Sequence, residues 1–317
     1  VNPLRGQNNV QGTSDVGAMP NVLPGYQLVD DDEVRESVED VWGFEVPDEP
    51  GLTNVEISHE AGRSVKGLYV MGENPVMSEP DGNEVEERLK ALDFMVAQDI
   101  FMTETAEFAD VVLPATTWAE RGGTVTNTDR RVQRMRGVEK VHENTKHDLD
   151  ILMEVGSRLF SEDEFRFDDV EAVFEELREV CPIYHGMTYD GLGEEGIQWP
   201  CYEEGDEGDQ FLYEDSFDTE SGLGQIEGVR HQPPAEVPDE EYPLILTTAR
   251  LEEHYNTGTM SRRSPTLLRQ HPENFVDVHP NDAAEYGIED GDMVQLRSRR
   301  GEIEVKAQVT EDIKEGV

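Results

Sequence analysis

Cysteine is scarce in this 317-residue chain, occurring only as Cys181 and Cys201. Two thiols permit at most one disulfide, and they cannot supply the four thiolates of an iron–sulfur cluster or complete a structural zinc site. Lysine is scarce as well, at six residues; Lys and Arg total 26 against 71 Asp and Glu, for a net charge of −45. That deficit of positive charge excludes nonspecific nucleic-acid binding through phosphates. It also strains a compact fold by self-repulsion, and a halophilic setting, where salt screens the charges, is the simplest relief. No apolar run approaches the roughly 18 residues that span a bilayer, so no membrane segment is expected. The chain shows no signal peptide, and a cytoplasmic protein with a reduced cysteine pair is expected. The chain opens on Val1 and stops at Gly316-Val317 soon after a strand-like stretch, and it reads as an internal piece of a larger subunit. Internal repeats and a GxGxxG fingerprint are both missing.

The run Arg5-Gly6-Gln7-Asn8-Asn9-Val10-Gln11-Gly12 is charge-poor in an acidic chain. One guanidinium, two glutamines, two asparagines and flanking glycines offer directional hydrogen bonds on a backbone free to turn. It suits a small polar ligand, the plain alternative being that Arg5 pairs with a surface carboxylate. Two further stretches are locally basic. Residues 117–140 carry Arg121, Arg130, Arg131, Arg134, Arg136 and Lys140; residues 247–271 carry Arg250, Arg262, Arg263 and Arg269. Either they meet an anionic ligand or they are spent on internal ion pairs.

In chain order, residues 1–64 hold the polar loop and an irregular acidic segment, with a helix expected over 32–42. From residue 65 the pattern becomes β-α-β. Strands are expected at 65–71, 94–98 and 110–114, with a helix over 83–92 between the first two. This predicts an α/β fold with a doubly wound, mainly parallel sheet, whose ligands lie at the carboxyl ends of the strands, here the loops 72–75 and 99–103. Amphipathic helices are expected at 148–160 and 168–180, and residues 184–232 read as loops with an acidic surface. Residues 65–232 thus form an α/β region, and a proline-rich linker spans 233–240. In 241–317, an apolar strand at 244–248, a hairpin of 293–296 with 302–309 and a short helix near 279–287 predict a small C-terminal β-barrel with one helix.

The stretch from Asn2 to Pro20, with its Arg-Gly-Gln-Asn-Asn core, resembles a loop in the catalytic subunit of formate dehydrogenases of the molybdopterin oxidoreductase family. Further similar stretches follow in order at 69–75, 97–103, 109–133, 197–201 and 242–300. The resemblance implies a bis-molybdopterin guanine dinucleotide carrying Mo or W, and oxidation of formate to CO2. It places Arg5 and Gln7 beside substrate and metal. It carries cofactor contacts onto Gly72, Glu73, Asn74, Gln98, Asp99 and Thr103, and, in the last segment, onto Thr248, Arg250, His254 and Asn256. The acidic residue that often follows the equivalent of Arg250 in the family is Leu251 here. The family's [4Fe–4S] motif and its metal-binding cysteine or selenocysteine lie upstream of the arginine loop, so no residue of this chain is matched to the metal and the piece alone should be inactive. An electron-transfer partner subunit or acceptor is implied. Two alternatives stay open: an oxyanion enzyme of the nitrate reductase type, and a noncatalytic scaffold like the large electron-transfer subunit of NADH dehydrogenases.

Overall fold

The computed structural model describes residues 6–160, 165–217 and 219–317. The chain divides into two compact units, one of Val1–Glu73 with Glu87–Gly224 and the other of Asn74–Glu86 with Gln225–Val317.

The first unit begins with helix α1 (Val10–Asp15), followed by a two-stranded ribbon, β1 (Val22–Leu23) against β2 (Gln27–Leu28). Helix α2 (Asp32–Trp42) starts where Asp31 accepts hydrogen bonds from the Glu33 and Val34 amides, and ends at Gly43 with a φ of 76°. Those are the N-cap and left-handed stop expected of Asp and Gly. Its apolar stripe buries Val38 fully, against Leu23, Val29, Val46 and Val180. Removing a side chain of that size from water stabilises by about 1.5–3 kcal/mol. Helix α3 (Asn54–Glu60) opens with a reciprocal capping box between Thr53 and Glu56.

Strand β3 (Gly67–Met71), then β4 (Phe94–Asp99) and β5 (Val111–Pro114), form a parallel three-stranded sheet in sequential order, with Val70 opposite Ala97 and Ala97 opposite Val112. Between β3 and β4 run α4 (Pro75–Ser78) and α5 (Gly82–Lys90). The expected strands and the helix between them are therefore present. A second sheet is antiparallel, with β6 (Gly123–Thr126), β7 (Arg131–Met135) and β8 (Ile197–Gln198) in that order. Helices α6 (Asp148–Leu159) and α7 (Val170–Val180) close the unit's regular elements.

Residues 184–232 differ from expectation in their first part. Tyr184, Met187, Tyr189, Leu192 and Cys201 are buried with Val132, Phe174 and Cys181 in the larger of the two core clusters. The segment has no 3.6- or 2-residue period because it is irregular, and its apolar residues reach the core singly between glycines and acids.

In the second unit, α8 (Pro265–Leu268) and α9 (Pro280–Tyr286) accompany a three-stranded sheet. Strand β9 (Phe275–Val278) runs parallel to β11 (Glu302–Val309), and β11 pairs with β10 (Met293–Arg297) as the expected hairpin. This sheet is open. The predicted barrel does not form among the described residues, because 244–248 makes no ladder. Leu244, Ile245 and Leu246 are exposed, and the segment's one bond toward the chain end runs from the Ile245 amide to the Gly316 carbonyl at 3.0 Å. No helix of the described residues is long and apolar enough to cross a membrane.

Candidate functional site

The carboxyl edge of the parallel sheet is built from the ends of β3 and β4. Gly72 turns the chain with a φ of 65°, a value that suits glycine, and nothing lies within 4 Å of where a Cβ would sit. Its amide bonds the Gln98 carbonyl at 2.9 Å. The Gln98 side chain is buried and hydrogen-bonded at both its oxygen and its nitrogen. Its Oε1 accepts from the Tyr69 hydroxyl at 2.5 Å and its Nε2 donates to Asp148 Oδ1 at 2.7 Å. Asp148 in turn receives Arg121 Nη1 on Oδ2 at 2.7 Å. Burial, and then the Asp148 charge, push the Tyr69 phenol above its ordinary range. Gln98 thus ties the sheet edge to the start of α6.

Asp99, the last residue of β4, accepts the Phe101 amide on Oδ1 at 3.0 Å, which shapes the following turn. Thr103 is buried and its hydroxyl accepts the Ala106 amide at 3.1 Å. Glu73 is exposed beside Gly72. The structure therefore places Gly72, Gln98 and Asp99 at the ends of β3 and β4, with Thr103 buried four residues after β4.

In the second unit, Asn74 is buried and its Nδ2 donates to Thr259 Oγ1 at 3.0 Å, a bond within that unit to the loop 248–263. Within that loop the Arg250 guanidinium donates to Asn256 Oδ1, with Asn256 in the left-handed region at φ 52°. His254 has partners on both ring nitrogens: Ser261 Oγ lies 3.2 Å from Nδ1 and the His271 carbonyl 2.9 Å from Nε2. A carbonyl only accepts, so Nε2 carries the proton and Nδ1 accepts from the serine. His254 therefore braces the loop. Thr248 is exposed.

Arg5 lies outside the described residues. Gln7 is exposed in the turn leading into α1. What sequence reading missed is how α1 is held. Asp15, fully buried, accepts four side-chain hydrogen bonds: Gln11 Nε2 and Tyr26 Oη on Oδ1, each at 2.8 Å, and Tyr184 Oη at 2.7 Å and Trp199 Nε1 at 2.8 Å on Oδ2. Burial pushes the Asp15 carboxyl up, and the four donors pull it partly back. A signal was present, since Asp15 is the one carboxylate of a charge-poor run and lies one helical turn after Gln11.

The arginines of the first basic stretch are largely spent on the chain itself. Arg130 donates to the carbonyls of Trp199, Asp209 and Gln210, Arg131 to Gly196 and Gln198, and Arg134 pairs with Asp190 while lying 4.1 Å over the Tyr189 ring. Of the two readings of that stretch, internal bonding is the one these contacts support. Among the described residues, no group of three or more His, Cys, Asp or Glu is placed to hold a metal ion.

Two family profiles match the sequence: one described as molybdopterin oxidoreductase over residues 2–158, and one as a molybdopterin dinucleotide binding domain over residues 244–317. The chain is 49% identical, over its whole length, to the F420-dependent formate dehydrogenase subunit alpha of Methanocaldococcus jannaschii, of which it covers 47%. It is 36% identical over 98% of its length to the assimilatory nitrate reductase catalytic subunit of Bacillus subtilis, covering 45% of that protein. The chain thus spans about half the length of these curated relatives. Among solved structures, acetylene hydratase from Pelobacter acetylenicus matches with a TM-score of 0.66 at 20% identity, over 89% of this chain and 41% of that one.

Proposed function

The chain belongs to the molybdopterin oxidoreductase family, and on that premise we propose that it forms part of a formate dehydrogenase catalytic subunit holding a bis-molybdopterin guanine dinucleotide with Mo or W. The observation that carries this reading is the whole-chain identity of 49% to a formate dehydrogenase alpha subunit, against 36% to a nitrate reductase. The residues at the two loop clusters are consistent with a dinucleotide. Gly72 leaves an open backbone edge, Asp99 supplies carboxylate oxygens of the kind that accept from a guanine edge, and Arg250 with Asn256 offers donors suited to a diphosphate. In this proposal Gly72, Glu73, Asn74, Gln98, Asp99 and Thr103 serve one guanosine end, while Thr248, Arg250, His254 and Asn256 serve the other pterin. Gln98, His254 and the Asn74 amide act by shaping their loops, since their polar atoms hold neighbouring side chains or backbone.

Conversion of formate to CO2 breaks the C–H bond and releases a proton and two electrons. The cofactor, when bound, supplies the two-electron acceptor. Arg5 binds the carboxylate as a permanently charged planar donor and steadies negative charge as the bond breaks. Gln7 orients the substrate through its amide. A [4Fe–4S] cluster, which would be held by residues outside this chain, would supply the route for the electrons to a partner subunit or acceptor. Metal and guanine-nucleotide analysis of the full-length subunit, purified in high salt, with formate-dependent dye reduction, tests the proposal. Metal, about two guanine nucleotides and formate turnover support it. Cofactor without formate turnover supports an oxyanion enzyme of the nitrate reductase type, and no cofactor leaves a scaffold.

A further inference from the structure

Asn9 is the N-cap residue of α1, yet it does not cap. Asparagine at that position ordinarily accepts an amide of the first turn, whereas here no side-chain cap bond is made and the backbone sits in the left-handed region at φ 57°. Its Oδ1 instead accepts the Thr126 amide at the end of β6, at 2.9 Å. Thr126 is buried and its hydroxyl lies 2.9 Å from the Tyr184 hydroxyl. Tyr184 spends its one proton on Asp15, so Thr126 donates to Tyr184. A closed ring of hydrogen bonds therefore leaves α1 at Asn9, passes through Thr126 and Tyr184, and returns to α1 at Asp15.

Gly12 makes room for this ring. A Cβ at that position would stand 2.3 Å from Asn9 Oδ1 and 3.1 Å from Thr126 Oγ1. The nearer atom is the tip of a side chain, so alanine there displaces the Asn9 amide rather than the backbone, while helix propensity itself favours the change.

We propose that Asn9 is a positioning residue: by latching onto Thr126 in a left-handed turn, it sets the direction in which residues 6–8 leave α1 and so where Gln7 is presented. The inference rests on the formate reading for its kinetic consequence, but not for its structural one. The test uses the full-length, cofactor-loaded subunit carrying Asn9→Ala, Gly12→Ala or Asn9→Asp, the last keeping both the acceptor oxygen and the tolerance for left-handed backbone. Two readouts are taken, hydrogen exchange of the Thr126 amide, which the latch bonds, and the separate kcat and KM for formate.

Asn9→Ala and Gly12→Ala should each speed exchange of the Thr126 amide at least tenfold and lower kcat/KM for formate at least tenfold, with metal content, nucleotide content and melting temperature near wild type. Asn9→Asp should restore both readouts to within about threefold of wild type. Unchanged exchange in Asn9→Ala and Gly12→Ala overturns the latch, whatever the kinetics do. Loss of cofactor or a general fall in melting temperature in Asn9→Ala shows a structural role and also overturns it. If the wild-type subunit does not turn over formate, the functional reading fails, and the exchange measurement alone decides the latch.

Discussion

Tyr184 donates its hydroxyl to Asp15 at 2.7 Å across a sequence separation of 169 residues. That one bond joins the helix behind the polar loop to the core cluster of Tyr184, Cys181 and Cys201. A buried carboxylate with four donors is held by charge-assisted hydrogen bonds, and losing an acceptor there strands buried donors.

Asp15→Asn should therefore lower unfolding stability by about 2–4 kcal/mol, because the new amide group turns a donor toward donors. Urea unfolding checks this. The pH dependence has a definite sign. Burial raises the Asp15 carboxyl above its ordinary value, so its contribution is most favourable below the unfolded value and is lost as pH rises through the native one. Wild type should show this downward slope on the acid side, and Asp15→Asn should lack it.

Glu120 works in the opposite sense. Its Oε2 accepts the Thr117 amide at 2.8 Å and its Oε1 the Val141 amide at 2.6 Å, and these backbone donors hold its carboxyl below the ordinary value. Its contribution is present above the unfolded value and disappears as pH falls through the native one. Glu120→Gln should melt lower than wild type at pH 7, and the two melting temperatures should converge in acid.

Cys181 and Cys201 are both free and buried. Burial, with the Asp15 charge nearby, pushes the Cys181 thiol up to about 12. Burial raises Cys201 as well. Thiol titration at pH 8 should find both unreactive in the folded protein and both reactive in denaturant. Rapid labelling of Cys181 in the native state would show that this core opens.

A net charge of −45 makes ionic strength a stability variable. The screening length shrinks from about 10 Å at 0.1 M salt to about 3 Å at 1 M. The melting temperature should rise over that range, and a flat or falling curve would contradict the halophilic reading.

The β-α-β segment was legible because its strands are short apolar runs, such as Leu68-Tyr69-Val70-Met71, bounded by turn residues and separated by a periodic helix. The hairpin around Arg299-Arg300-Gly301 and the helix capped by Gly287 were legible for the same local reasons. Residues 187–201 were not, since Met187, Leu192 and Cys201 enter the core from irregular backbone. The barrel failed because Leu244-Ile245-Leu246 has the composition of a strand, but strand formation needs a partner edge. In the candidate site, the residue types of the loop were readable, whereas the support under it was not. Asp15, Thr126, Tyr184 and Trp199 come from four separate stretches, and no local pattern links them.

The long span between Asp15 and Tyr184 also fixes an order of events during synthesis. Helix α1 has six residues, too few to persist alone, and although Gln11 and Tyr26 can reach Oδ1 of Asp15 early, its Oδ2 has no donor of the native set until the chain has grown by 169 residues. At about 5–20 residues per second that interval is roughly 10–30 s. The polar loop thus leaves the ribosome well before the side chains that brace it, so mutations at Tyr184 or Trp199 should slow maturation of a segment made long before them.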